Sequence, residues 1–220
     1  MNNTSNHSLL NVREKQHAAT RDKILKVSWD LLLRNGFENV TMDAIARESG
    51  CSRQRVYAYF QGLDEIIYRL QIENMRSSLT AFSSAIQSQD PSPSARLQEL
   101  VERTFAYQKE HPESSLFTSY FDHYFSHRPS KAAWREEYLS LFHDEAFGRE
   151  VPWLIKEGIA LGEFRSDISI EEASNFWSTM NQSLVERLSI CSVNGEDHSE
   201  AELDSLRRIY VDALFRYLRK

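Results

Sequence analysis

The sequence predicts an all-α protein in two parts, a small N-terminal helix-turn-helix module and a larger helical body. Three observations carry that prediction. The stretch from Thr41 to Phe60, TMDAIARESGCSRQRVYAYF, reads as a helix, a tight turn and a second short helix. Apolar residues elsewhere recur at helical spacing, as in Ile24, Val27, Leu31 and Leu32 or in Leu203, Leu206, Tyr210 and Leu214. Breakers at Gly36, Asp90-Pro91-Ser92-Pro93, His111-Pro112, Arg128-Pro129-Ser130 and Gly162 then cut the chain into helix-length pieces.

Residues 1–19 are rich in Asn, Ser and His with little apolar periodicity, so they read as a disordered arm. Arg13, Lys15 and Arg21 lie toward its end, where such an arm reaches an adjacent minor groove in some DNA-binding proteins. Thr20 is expected to cap a helix that runs to Asn35 and is stopped by Gly36, with Phe37 folding back on its end. Thr41 caps the next helix, and Asp43 places a negative charge in its first turn, where the dipole favours one. Gly50 supplies the left-handed conformation that ends that helix, and Ser52 caps the one after it. Val40 with Ile45, and Cys51 with Val56, have the spacing of hydrophobic staples at both helix starts. The expected core of this three-helix unit is Ile24, Leu31, Phe37, Ile45, Val56 and Phe60. Arg53, Gln54 and Arg55 crowd the first turn of the second short helix, where its dipole disfavours cations, and that cost implies an anionic partner.

The pattern formed by Thr41, Ile45, Ala46, Gly50, Ser52, Tyr57, Tyr59 and Phe60 resembles the helix-turn-helix of tetracycline-repressor-like (TetR-family) regulators. The resemblance implies a DNA-binding domain over 20–66 and a ligand-binding and dimerisation domain over 67–220. It implies a one-component transcriptional regulator, a repressor that binds a palindromic duplex operator as a homodimer and is released by a small hydrophobic or aromatic effector; the cytoplasmic location expected for it comes from the lack of an apolar leader or membrane-spanning run. On this reading Arg53, Gln54 and Arg55 meet base edges, since Arg pairs with guanine and Gln with adenine in the major groove. Thr41, Ser52, Tyr57 and Tyr59 would position the module on phosphates, although Tyr57 has an alternative role as half-buried core. Where the family commonly carries a phosphate-contacting lysine at the start of the next helix, this chain has Leu63.

That next helix is expected from Asp64 to about Gln87, followed by helices from Ser94 to Glu110, from Glu113 to the break at Arg128, and from Trp134 to Phe147. Beyond Gly148, residues 151–161 continue or restart the last of these. Phe117, Tyr120, Phe121, Tyr124 and Phe125 give one helix an almost wholly aromatic face, which either packs as core or lines a cavity. With Trp134 and Trp177, Phe117, Tyr120, Phe121 and Tyr124 are the expected ligand lining, an expectation that leans on the resemblance. The last two helices, from Ile170 to about Cys191 and from Ser199 to about Leu218, would be joined by the turn Asn194-Gly195-Glu196-Asp197 and would form either a self-covering pair or half of a dimer bundle.

Composition narrows the classes that remain. The whole chain carries a net charge of −6, but residues 1–60 sum to +3 and residues 61–220 to −9, as suits a DNA reader whose body stays off the phosphates. No stretch approaches about 18 consecutive apolar residues, so no membrane span is expected, and the N-terminus lacks the apolar run of a signal peptide. Cys51 and Cys191 show no metal-binding or redox spacing. His123 and His127 have the spacing of two metal ligands, but no third ligand is fixed, so neither a metal nor any cofactor is expected. No catalytic or phosphate-cradling motif occurs, so no enzyme is expected and no catalytic residue is assigned. Two alternatives stand beside the main reading: a helical ligand- or partner-binding protein whose helix-turn-helix no longer reads DNA, and a metal-dependent enzyme.

Overall fold

The computed structural model describes residues 3–86, 90–144, 146–194 and 199–219. Among them the chain is helical with no strand. The elements are α1 (Asn3–Asn35), a 3-10 turn (Phe37–Asn39), α2 (Met42–Ser49), α3 (Arg53–Tyr59), α4 (Leu63–Ile86), α5 (Pro93–Glu110), α6 (Pro112–Phe125), α7 (Ala132–Asp144), α8 (Ala146–Ala160), α9 (Ile170–Asn194) and α10 (Glu200–Leu218). They divide into two compact units, residues 1–71 with 120–134, and residues 72–119 with 135–220. A single cut after residue 66 therefore misses the return of 120–134 to the first unit.

In the first unit, all six residues expected in the core are buried. Two expectations about α1 fail together. The helix starts at Asn3 rather than after a disordered arm, and Thr20 lies inside it rather than capping it. Between Asn3 and Gly36 there is neither glycine nor proline, so nothing stops the helix from running N-terminally. The Thr20 hydroxyl donates back to the Gln16 carbonyl at 2.9 Å, the usual recourse of a mid-helix threonine. Segment 120–134 joins this unit through rings: Tyr68 meets Phe121 edge-on at 5.0 Å and Phe125 at 4.6 Å, and lies 6.0 Å from Trp134.

The second unit packs α5, α8, α9 and α10 around one apolar core, with Leu97, Leu100, Leu154, Phe164, Leu188 and Leu218 at its centre. Gly158 on α8 is needed for close approach, because a Cβ there would come within 2.3 Å of the Phe164 ring. The turn that carries Phe164 is fixed by the Gly158 carbonyl, which accepts from the Glu163 and Phe164 N–H groups at 2.9 and 3.0 Å. Glu163 in turn accepts from the Ser92 hydroxyl and the Ser94 N–H at the start of α5, where Ser92 caps and Pro93 opens the helix. A smaller cluster of Ile72, Leu79 and Leu141 joins α4 to α7. Asn74 ties α4 to α6 by donating to the Ser114 carbonyl at 3.0 Å and accepting from the Ser114 hydroxyl at 2.6 Å.

The break expected near Gly148 falls earlier, since α7 ends at Asp144 and α8 already contains Gly148. Of the turn expected at 194–197, Asn194 closes α9 and the other three residues lie outside the described ones, as does Gln87. Ser199 caps α10 in a capping box with Glu202.

Candidate nucleic-acid interface

The geometry of α3 is set on both sides. The Thr41 hydroxyl accepts from the Ala44 N–H at 3.2 Å and starts α2, which ends at Gly50 with φ 65° and ψ 24°. L-residues with a Cβ reach that left-handed conformation at a cost, so glycine suits the turn. Ser52 then accepts from the Arg55 N–H at 3.2 Å and starts α3. A helix of seven residues is too short to persist alone, and Val56, fully buried, anchors it to the unit.

With Val56 inward, Arg53, Gln54, Arg55 and Tyr57 are exposed, as are Thr41 and Ser52, while Tyr59 is half-buried. Thr41 and Ser52 use an oxygen lone pair for capping and keep an O–H to donate. Several side chains outside α3 touch it. Arg53 donates from Nη1 to Asp43 Oδ2 at 3.2 Å, and its Nε lies 3.2 Å from Oδ1. The same guanidinium lies 5.6 Å from the centre of the Tyr57 ring. Arg55 donates from Nη2 to the Thr20 hydroxyl at 3.2 Å, and the Tyr59 ring lies 4.4 Å from that of His17. In the turn after α3, Gln61 accepts a hydrogen bond from Lys131, whose Nζ also lies 4.7 Å from the Trp134 ring centre. A cation thus reaches the turn before Leu63 from another part of the chain.

Sequence reasoning missed Thr20, His17 and Lys131 as neighbours of this surface. The first two sit where the arm and a helix cap were expected. Lys131 is 70 residues from Gln61, and no local pattern signals such a contact.

The residues expected to line a ligand cavity are divided between the two units. In the first unit, Tyr120 and Tyr124 meet Phe37 edge-on, and Phe121 and Trp134 pack on Tyr68. Tyr124 also donates to Asp64 at 3.3 Å and accepts from Arg128 at 3.3 Å; burial, then the Asp64 carboxylate, pushes its phenol above the usual range. Phe117 and Trp177 are buried in the second unit. An open cleft of about 870 Å³ lies between α5 and α10, with Phe105, Val211 and Phe215 among its apolar lining and Lys109, Arg208 and Arg219 among its cations. None of the six expected residues lines it.

The described residues include no group of three His, Cys, Asp or Glu able to hold a metal ion, and no helix long and apolar enough to cross a membrane. Both cysteines are free thiols.

Residues 24–70, which contain the capped turn and the whole of α3, match the family model of bacterial regulatory proteins of the tetR family. Over these residues the chain is similar to the TetR family, and over most of its length it is similar to HTH-type transcriptional regulators. It is 29% identical over 184 residues to the uncharacterized HTH-type transcriptional regulator YfiR of Bacillus subtilis, covering 78% of this chain and 82% of that protein. It is 28% identical over 162 residues to the HTH-type transcriptional repressor NicS of Pseudomonas putida, covering 74% of each. Its fold matches that of the regulator FadR of Bacillus subtilis, solved in complex with stearoyl-CoA, with a TM-score of 0.66 at 16% identity over 90% of this chain and 98% of that one. Within the matched residues, α2, the Gly50 turn and α3 form a helix-turn-helix.

Proposed function

We propose that this chain is a cytoplasmic one-component repressor that binds a palindromic operator as a homodimer and leaves it when a small hydrophobic effector binds. The observation that carries the reading is the exposed face of α3. Two arginines and a glutamine stand in the first turn of a capped helix, where a polyanion offsets the charge that the helix dipole disfavours. Arg53, Gln54 and Arg55 meet base edges in the major groove, and Thr41, Ser52, Tyr57 and Tyr59 hold the backbone.

Dimerisation is supported by a second exposed face of opposite character. On α9, Phe176 and Met180 are exposed, and on α10, Leu206 and Ile209, the last at 62%. The two helices meet at the Phe176 end, where the Phe176 and Tyr217 rings lie 5.1 Å apart. Isolated apolar residues on a surface are ordinary, but four exposed ones on two helices that pack together favour a protein interface.

Repression is supported by the relative NicS, named a repressor, and the hydrophobic effector by the FadR fold solved with stearoyl-CoA. The effector would enter the second unit, where Phe117 and Trp177 lie.

Selection of bound sequences from a random duplex pool by the full-length chain tests this reading. A palindrome with half-sites about one helical turn or a small multiple apart is expected. The variant Ile209→Asp should sediment as a monomer and lose the palindrome while keeping its helical content. Recovery of no preferred sequence by the wild type would remove the reading, and a dimer that persists in Ile209→Asp would remove the assigned interface.

A further inference from the structure

Asp43 sits in the first turn of α2, beside the face of α3 proposed to meet DNA, and its carboxylate is exposed. A negative charge there repels phosphate, so its presence has a cost for every DNA sequence alike. Some of that cost is offset locally, because an acid in the first turn favours α2. Yet the carboxylate does more than face its own helix end. Both of its oxygens lie 3.2 Å from the Arg53 guanidinium, across the turn and on the other helix of the pair.

The Arg53 side chain is long, and with several rotatable bonds it samples many positions when nothing holds it. Here Asp43 engages it through Nη1 and Nε, and the Tyr57 ring lies 5.6 Å from Cζ one turn along the same helix. The Asp43 hydrogen bond uses one of the five guanidinium N–H donors, and Nη2 makes no hydrogen bond with the described residues. A fork held in place with donors left over is what bidentate pairing with the O6 and N7 acceptors of guanine requires. An exposed ion pair of this kind adds little to stability in water. Its value lies in the ordering of the side chain before DNA arrives, which reduces the entropy lost on binding.

We infer that Asp43 is a positioning residue for base reading: it fixes the Arg53 guanidinium in the orientation that recognises guanine, so it determines specificity at one base pair while lowering affinity for DNA in general. The inference rests on the proposal that α3 reads bases through Arg53. It separates Asp43 from the cations around it, because loss of a phosphate-contacting cation weakens all sequences whereas loss of Asp43 strengthens binding to random sequence.

The test is a pool selection and a binding series with wild type, Arg53→Ala, Asp43→Ala and Asp43→Asn, each shown to be folded by its melting curve. Asp43→Asn keeps the shape of the side chain without its charge and guards against a helix-start defect in the alanine variant. Arg53→Ala should flatten preference at one position of each half-site. Both Asp43 variants should lower discrimination at that same position by about five- to tenfold, leave the other positions unchanged, and bind random duplex roughly twofold or more tightly. Folded Asp43 variants that keep wild-type preference there would overturn the inference and leave the reading helix standing. If Arg53→Ala itself changes no preference, base reading by Arg53 fails, and the positioning role fails with it.

Discussion

The helices α3 and α10 present outer faces of opposite chemistry, and each is held in its own unit by a different means. The outer face of α3 is cationic and polar, its inner face is Val56 alone, and its place depends on the Ser52 cap and the Gly50 turn. The outer face of α10 is apolar at Leu206 and Ile209, and its inner face buries Leu203, Tyr210, Leu214, Phe215 and Leu218. A short helix with little buried surface can offer nearly all of its side chains to a ligand, but its stability then comes from hydrogen bonds at its ends. A long helix with a full inner face is stable by burial, and what remains on its outside can be spent on a partner surface.

The largest expected effect falls on the buried side of this comparison. Phe164 is 1% exposed and fills the space above Gly158 at the heart of the second unit. Phe164→Ala should destabilise the protein by about 3 to 5 kcal/mol, the cost of the lost burial and of the cavity left behind. Chemical denaturation of wild type and variant measures this. A loss below about 1 kcal/mol would mean that the second unit does not depend on its core as proposed.

A smaller change should appear on the other side. Ser52→Ala removes the acceptor for the Arg55 N–H and should cost about 1 kcal/mol. Because α3 has so little burial, the cost should be local. Hydrogen exchange at Val56 to Tyr59 should speed up about fivefold, while the amides of α8 and α10 should keep their protection. Equal acceleration in both units would erase the distinction between end-held and core-held helices.

The same distinction explains what could be read from the sequence. The helix-turn-helix was legible almost atom by atom because caps, turn glycines and staples act over three to five residues: Thr41, Gly50 and Ser52 do what their positions imply. The helical character of the body was legible from stripes and breakers. Polar composition points to an arm before Thr20, but with no breaker before Gly36 the helix runs through it. The contacts of Asp43, Thr20 and Lys131 with the reading surface were not legible. They join residues that lie on different helices or far apart in the chain, and no periodicity records which exposed side chains will meet. The ring-rich face of α6 shows the same limit. Its spacing gave the aromatic stripe correctly, but only packing decides which rings face Phe37 and Tyr68 and which lie in the second unit.

The smallest expected effect concerns charge in the second unit. Glu150 on α8 accepts from Arg96 on α5 at 2.8 Å, and both side chains are largely buried. Burial pushes the Glu150 carboxyl above the usual carboxylate range, and the attraction of Arg96 only partly opposes this. The sign of the pH effect follows. Between the ordinary pKa and the raised one, the folded protein holds a proton at Glu150 that the unfolded chain has released, so stability falls as pH rises through that interval. Above it, Glu150 is ionised in both states and the loss is complete. Glu150→Gln removes the titration but keeps an acceptor for Arg96. The variant should therefore lose less stability than wild type between about pH 4 and about pH 7, whatever its absolute stability. Urea unfolding of both proteins at the two pH values gives the double difference, in which the other carboxylates cancel. A variant that loses as much as wild type, or more, would show that the Arg96 partner outweighs burial at this site.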